Sequence, residues 1–159
     1  MTSHLQIILQ AISSVAICFS LIFAGLQLLH WRRAYQVANF TKLVELQMSL
    51  RKMRVDDPSL AIVHRHDVEG LESDEEIRHY FLNLMQLSVF EIAWYSFRQG
   101  QLTEDYFRSW EKRMRALLAE PSFRRMMHKP SMKILHDDFA TYIEKNLRDV
   151  PERTADAPK

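Results

Sequence analysis

The chain has 159 residues and nearly balanced charges, with 21 Lys and Arg against 20 Asp and Glu. This length suits one domain plus an anchor. The charge balance argues against nucleic acid as a partner, because such binding needs a basic surface that displaces counterions. The single cysteine, Cys18, excludes an intramolecular disulfide and lacks the companions of a thiolate metal site.

The N-terminal fifth of the chain is apolar and carries no formal charge before Arg32. Residues 5–29 therefore form an uncharged run of 25 residues, whereas about 20 suffice to cross a bilayer. A cleaved signal peptide would need a basic start and a shorter apolar core, and a buried core helix is the other alternative. We predict a retained transmembrane anchor over residues 1–31, with the span at about 5–29.

The residues after this run predict the orientation of the anchor. Trp31, Arg32 and Arg33 follow the span directly. Trp favours the membrane interface, and Lys or Arg close to a span stays in the cytoplasm. We therefore expect the N-terminus outside, the C-terminal domain in the cytoplasm, and membrane lipid as a partner.

Small and polar residues recur along the span at alternating steps of four and three. In lipid, helices associate through close backbone approach and interhelical hydrogen bonds. The pattern predicts packing against another span, in a homo-oligomer or with another membrane protein. Alternatively, the glutamines lie near the two interfaces and the serines bond to their own helix. The predicted packing residues in this heptad seam are Gln6, Gln10, Ser13, Ser20, Ala24 and Gln27, with Ile17 between Ser13 and Ser20. Ala16 is also predicted to pack, because Ala16, Ser20 and Ala24 lie four residues apart in a small-xxx-small arrangement.

The soluble part is predicted to be a helical bundle, which makes the fold all-α with one span continuing into the cytoplasmic domain. No Gly or Pro occurs between Gly25 and Pro58, so the first helix should continue to about Val55 and carry the seam onward. Nothing alternates at period two, so no sheet is expected. The seam residues beyond the span are Trp31, Ala34, Ala38, Thr41, Glu45 and Met48.

Four further helices are predicted in the domain, which we place at residues 32–149, in addition to a short one over 59–66. Ser73 and Glu76 resemble a capping box, and Gly100 is a natural end for the helix that they begin. Thr103, Pro121 and Pro130 should begin the other three. Residues 150–159 are polar and contain proline, so a disordered tail is expected. The expected aromatic core comprises Phe81, Phe90, Trp94, Tyr95, Phe107, Trp110, Phe123, Phe139 and Tyr142.

Three polar clusters contain residue types found in metal or acid–base sites, but the pattern of each favours an ordinary structural role. The first runs from His64 to Asp67, where ligands two residues apart on a helix would diverge. The pair of Glu76 and His79 has no second copy, as a di-iron site would need. The third cluster, His136 to Asp138, fits a solvated helix face. We predict no catalytic residue, no cofactor and no bound metal, and hence no enzyme.

Glu91 is the most informative charged residue, because it lies within an apolar run from Leu87 to Tyr95. A buried carboxylate must be paired or neutralised. The predicted core ion pair is Glu91 with Arg124; Arg51, Arg54 and Arg125 remain as alternative partners. A structural role is expected, with a functional carboxylate as the alternative.

A pattern of mainly aromatic and charged residues lies within about residues 74–147. Its members are Phe90, Glu91, Ala93, Tyr95, Phe97, Arg98, Gln99, Gly100, Leu102, Trp110, Pro121, Phe123 and Arg124. The pattern resembles that of an uncharacterised bacterial family of single-span membrane proteins with a small helical cytoplasmic domain. The resemblance implies a bacterial inner membrane and no known activity. The sequence departs from the family pattern at Met126 and Met127, where paired tryptophans are common.

Three functions are consistent with these features. The preferred hypothesis is a membrane-tethered interaction or scaffold protein, which assembles through its span and its helical domain. The alternative is a sensory or regulatory module that signals through the long first helix. The third is a membrane-bound enzyme with a site near Glu91.

Overall fold

The computed structural model describes residues 2–129 and 135–152. The described residues form five α-helices and one 3₁₀ helix and contain no strand, which confirms the all-α fold with a long apolar first helix. A bundle-like arrangement follows that helix. The elements are α1 (Thr2–Asp56), the 3₁₀ helix (Pro58–Val68), α2 (Asp74–Arg98), α3 (Glu104–Leu118), α4 (Pro121–His128) and α5 (Asp137–Asp149).

The contacts divide the chain into two units, Met1–Gln36 and Val37–Lys159. The first unit contains the apolar part of α1, and the described side chains of residues 3–33 are all exposed there. The second unit contains the remainder of α1 and every other element, and it has a buried core.

Helix α2 lies at the centre of the second unit and contacts α3, α4, α5 and the 3₁₀ helix. The core is aromatic, as predicted: Phe81, Phe123 and Phe139 are each at most 2% exposed. Phe90 and Trp94 are also buried, whereas four of the predicted aromatic residues pack against the core only partly buried. These four are Tyr95, Phe107, Trp110 and Tyr142.

Local hydrogen bonds explain where α2 begins and ends. The Ser73 hydroxyl accepts from the Glu76 backbone N–H at 3.2 Å, as a helix cap should. The Glu76 carboxylate accepts from the Glu72 N–H at 2.8 Å, one residue earlier than the capping box would have it. Gly100 ends the helix with a φ of 70°, which glycine adopts without strain.

The last helix begins later than predicted. Pro130 and the four residues after it lie outside the described residues, but Leu135 and His136 are described and are not helical. His136 has an extended backbone, and its Nδ1 accepts from the Asp138 N–H at 3.3 Å, so it caps α5. The predicted start at Pro130 is therefore corrected to Asp137. Most of the predicted tail, residues 153–159, also lies outside the described part.

Candidate functional site

The part of α1 that belongs to the second unit buries one face against the domain. Val44 and Arg51, seven residues apart, are each 6% exposed. Thr41 and Met48 are half-buried on this face, whereas Ala38 and Glu45 are exposed. Within the second unit, the face that packs against the domain therefore includes Thr41 and Met48 of the predicted seam, together with Val44 and Arg51, but excludes Ala38 and Glu45.

Long side chains connect this face of α1 to α2. Arg51 Nη1 donates to the Leu84 carbonyl oxygen at 2.9 Å and to the Ser88 hydroxyl at 2.5 Å. The Arg54 guanidinium lies 5.0 Å from the centre of the Phe81 ring. Burial lowers the pKa of Arg51, and the negative charge of Glu91 opposes that shift. The contacts of Arg51 thus replace the water that its buried charge loses.

Glu91 is 2% exposed, as its apolar neighbours predict. Its Oε1 accepts from the backbone N–H of His136 at 2.5 Å. Burial raises the pKa of Glu91, while this hydrogen bond and the electrostatic effects of His136 and Arg51 act in the opposite direction. The carboxylate therefore holds the residue that precedes α5, across 45 positions of sequence.

The structure does not form the predicted pair between Glu91 and Arg124. Arg124 Nε donates to the Leu118 carbonyl oxygen at 2.8 Å, and its Nη2 donates to the carbonyl oxygen of Val150. Arg124 therefore connects the end of α3 to the end of α5. His136 and Arg51 both act electrostatically on the Glu91 carboxylate, and Arg51 is one of the alternative partners.

One polar contact of the domain had no signal in the sequence. The Tyr142 hydroxyl donates to Glu111 Oε1 at 3.0 Å and connects α5 to α3. Burial, followed by this bond to a carboxylate, raises the pKa of Tyr142 to about 12. Tyr142 was predicted only as a core residue, because helical periodicity identifies its face but not its partner.

Another face of α1 carries large apolar side chains that nothing in the described chain covers. Leu43, Leu46, Leu50 and Met53 are 68%, 56%, 63% and 54% exposed, respectively. We call these four residues the α1 stripe. Single exposed apolar residues are ordinary, but a contiguous row marks an interaction surface.

An open groove of about 560 Å³ lies beside the α1 stripe within the second unit. Helix α1 contributes Leu43, Leu46 and Leu50 to the lining of this groove, and the segment before α5 contributes Leu135 and His136. Phe40, Val44, Gln47 and Glu91 complete the lining. The stripe and the groove together make a mostly apolar surface that is wider than one helix.

The residues predicted to pack within the membrane are all exposed in the single chain. The Ser20 hydroxyl donates to the Ala16 carbonyl oxygen at 2.8 Å, which is the alternative arrangement considered for the serines. Gln6, Gln10, Ser13, Ala24 and Gln27 are likewise exposed, as are the interface anchors Trp31, Arg32 and Arg33. Packing against a second span stays a prediction for these residues.

The polar clusters considered for chemistry have structural contacts. In the described part of the chain, no three His, Cys, Asp or Glu side chains are placed to share a metal ion. Asp67 lies 3.4 Å from Arg54 in an ion pair, and Glu76 caps α2. The side chain of His64 lies outside what the structure describes.

The residues that carry the family resemblance mainly build the contacts between helices. The Phe90 and Trp110 rings meet edge to face with centroids 6.1 Å apart, and Phe97 stacks on Phe107 at 4.3 Å. The Arg98 guanidinium lies 5.4 Å from the centre of the Trp94 ring. Together with Glu91, Gly100 and Arg124, they position α2 against α3 and α5.

These features define a helical protein with one long apolar N-terminal helix and a small bundle with an aromatic core. The chain belongs to the family of unknown function DUF6082, which it matches over residues 4–126. This confirms that it belongs to an uncharacterised family. No curated protein and no solved structure matches the chain significantly. The apolar part of α1 is long enough to cross a membrane, and none of its most apolar window is buried within the chain.

Proposed function

We propose that this protein is a membrane-tethered interaction protein of the bacterial inner membrane. Residues 5–29 act as its single span, the N-terminus lies outside, and the helical domain lies at the cytoplasmic surface. The proposal rests above all on the α1 stripe, a row of exposed apolar side chains outside the charge-free segment. Such a row is typical of a surface that another helix covers.

The anchor is supported by the exposure of its apolar side chains. A core helix of a soluble protein would bury one face, whereas residues 6–33 bury none. In lipid this exposure is favourable, because the hydrocarbon core solvates apolar side chains and the helix satisfies its own backbone hydrogen bonds. The lack of Lys and Arg before residue 32 supports the orientation.

The proposal assigns Glu91 a structural role and no catalytic step. Its carboxylate already accepts a hydrogen bond from the His136 N–H, and its burial fits a residue that fixes the start of α5. The regulatory and enzymatic alternatives stay predictions, since none of the described contacts requires either.

The test compares two double variants that disturb different surfaces. One replaces Ser20 and Ala24 with Leu, which blocks close approach of spans. The other replaces Leu46 and Leu50 with Gln, which removes the apolar character of the α1 stripe. Complexes are extracted gently from native membranes, and their mass and composition are measured. We expect the stripe variant to lose a bound protein that the wild type retains.

Leu82→Gln is the matched control, because Leu82 is also an exposed leucine, at 44%, but lies on α2. It should retain the complex. If both double variants keep the wild-type complex, or if the wild type has no bound protein, the proposal is contradicted. Loss in the span variant alone would place the interaction in the membrane rather than at the stripe.

A further inference from the structure

We infer that the α1 stripe binds the same stripe of a second copy of this chain, as a short parallel coiled coil. The inference rests on the proposed function and names the partner at its interaction surface. It concerns Leu43, Leu46, Leu50 and Met53, which lie beyond the proposed span.

The spacing of the stripe is that of a coiled-coil seam. Its residues follow one another at steps of three, four and three, which are the a and d positions of a heptad. Side chains at these positions insert between four residues of a facing helix, and an identical helix offers matching holes. Val44 and Arg51 lie on the other face, which the domain already covers. One face of the helix thus packs against its own domain, while the α1 stripe on another face is exposed.

The charges near the stripe do not oppose the approach of an identical surface. Lys42 pairs with Glu45 at 3.5 Å and Lys52 with Asp56 at 2.5 Å, both within α1. Arg54 pairs with Asp67 at 3.4 Å. Because each of these cations has a partner in its own chain, two copies can meet with little like-charge repulsion. A partner chosen by charge would instead need an unpaired row of one sign beside the stripe.

The proposed membrane anchor favours association of a coiled-coil seam that is too short to be stable between free helices. From Leu43 to Met53 the helix rises by only about 15 Å, which is little for a stable association of free helices. Anchored copies share one orientation and one layer, so the parallel arrangement is imposed and the effective concentration is high. In a two-fold pair each stripe residue then meets its own counterpart.

The groove extends the contact beyond the two stripes. Leu43, Leu46 and Leu50 line it together with Leu135. Side chains of a facing stripe would therefore meet apolar surface next to the seam. A second copy suits this surface better than a compact soluble ligand, because the exposed residues extend along three turns of helix rather than converging on one pocket.

Disulfide crosslinking in intact membranes tests the inference with the full chain. Cys18 is first replaced by Ala, because it is exposed and would otherwise react. Leu46→Cys and Leu50→Cys are then compared with Ser49→Cys, which is exposed on the same turn but outside the stripe. Each variant is oxidised mildly and separated without reductant. We expect a product of twice the 18.9 kDa chain at positions 46 and 50, several-fold above that at position 49.

Three results would overturn the inference. Equal yields at positions 46, 49 and 50 would indicate random collision. Absence of product, although a maleimide still labels the thiols, would show that the stripes do not meet. A product with a different protein would identify another occupant. In that last case the Leu46→Gln and Leu50→Gln double variant should still lose its partner. The proposed function would then be retained, and only the inference that the partner is a second copy would be wrong.

Discussion

The two units of this chain use their apolar residues in opposite ways. In Met1–Gln36, Phe19 and Leu21 are 67% and 68% exposed, whereas in Val37–Lys159 Phe123 and Phe139 are almost inaccessible. The first unit is a helix whose described apolar side chains are exposed, and the second unit has its own buried core. This contrast agrees with the proposed anchor, in which lipid surrounds the first unit and water surrounds the second.

The largest expected effect is on the core of the second unit. Phe139→Ala should lower the free energy of unfolding by about 3–5 kcal/mol, because it removes a fully buried ring and leaves a cavity. Tyr106→Ala, at a position that is 55% exposed, should cost well under half of that. Thermal unfolding followed by circular dichroism measures both. Similar losses of unfolding free energy at the two positions would contradict the placement of Phe139 in the buried core.

A charge within the first unit should act on membrane association instead. Ile17→Arg should disfavour insertion by about 2.5–3.5 kcal/mol, because it places a guanidinium near the centre of the span. An alkaline carbonate wash should then release this variant from the membrane fraction, whereas the wild type should remain in that fraction. Leu82→Arg, an exposed position on α2, should leave the protein in the membrane. Retention of the Ile17 variant would argue that this helix does not span.

Glu91→Ala should destabilise the domain by about 1–3 kcal/mol, since it removes the charged acceptor of the partly buried hydrogen bond from the His136 N–H. Glu91→Gln retains an acceptor and should cost less at neutral pH. Denaturant unfolding of the two variants checks this difference. A larger cost for Gln than for Ala would contradict the role of this hydrogen bond.

The same residue predicts a dependence on pH. Burial raises the pKa of Glu91 above 4.5 in the folded protein. At pH values between the unfolded and the folded pKa, the folded state therefore binds more protons than the unfolded state. The wild type should therefore lose stability relative to Glu91→Gln as the pH rises above about 4.5. Unfolding curves across this range provide the measurement. If the difference in stability between the wild type and Glu91→Gln is the same at every pH, the pKa of Glu91 does not change on folding.

The smallest effect is expected at a cap. Ser73→Ala should cost about 0.5–2 kcal/mol, because the Glu76 N–H loses its side-chain acceptor at the start of α2. Ser109→Ala is the control, since Ser109 is exposed within α3 and bonds only to its own helix. Thermal unfolding compares the two. If Ser73→Ala lowers stability no more than Ser109→Ala, the Ser73 cap does not stabilise the start of α2.

Local features were predictable because their causes lie within a few residues. Ser73 and Gly100 define α2 through capping and a left-handed turn, and both are visible in the sequence. The position of α5 was not predictable, because its cap residue His136 also donates its backbone N–H to Glu91, 45 positions earlier in the chain. Likewise, burial of Glu91 follows from its neighbours, but a backbone N–H partner has no signature in sequence.

The α1 stripe escaped prediction for a related reason. Several faces of α1 satisfy a heptad, and the spacing alone does not reveal which face the domain covers. The structure resolves this by burying Val44 and Arg51 and by leaving Leu43 and Leu46 exposed.

The proposed membrane-tethered interaction is tested most directly by measuring the mass and composition of the wild-type complex, extracted in native lipid from the membrane fraction. We predict an assembly heavier than one 18.9 kDa chain that contains a second copy. A lone chain of 18.9 kDa, or recovery of the protein only from the soluble fraction, would contradict a membrane-tethered interaction protein.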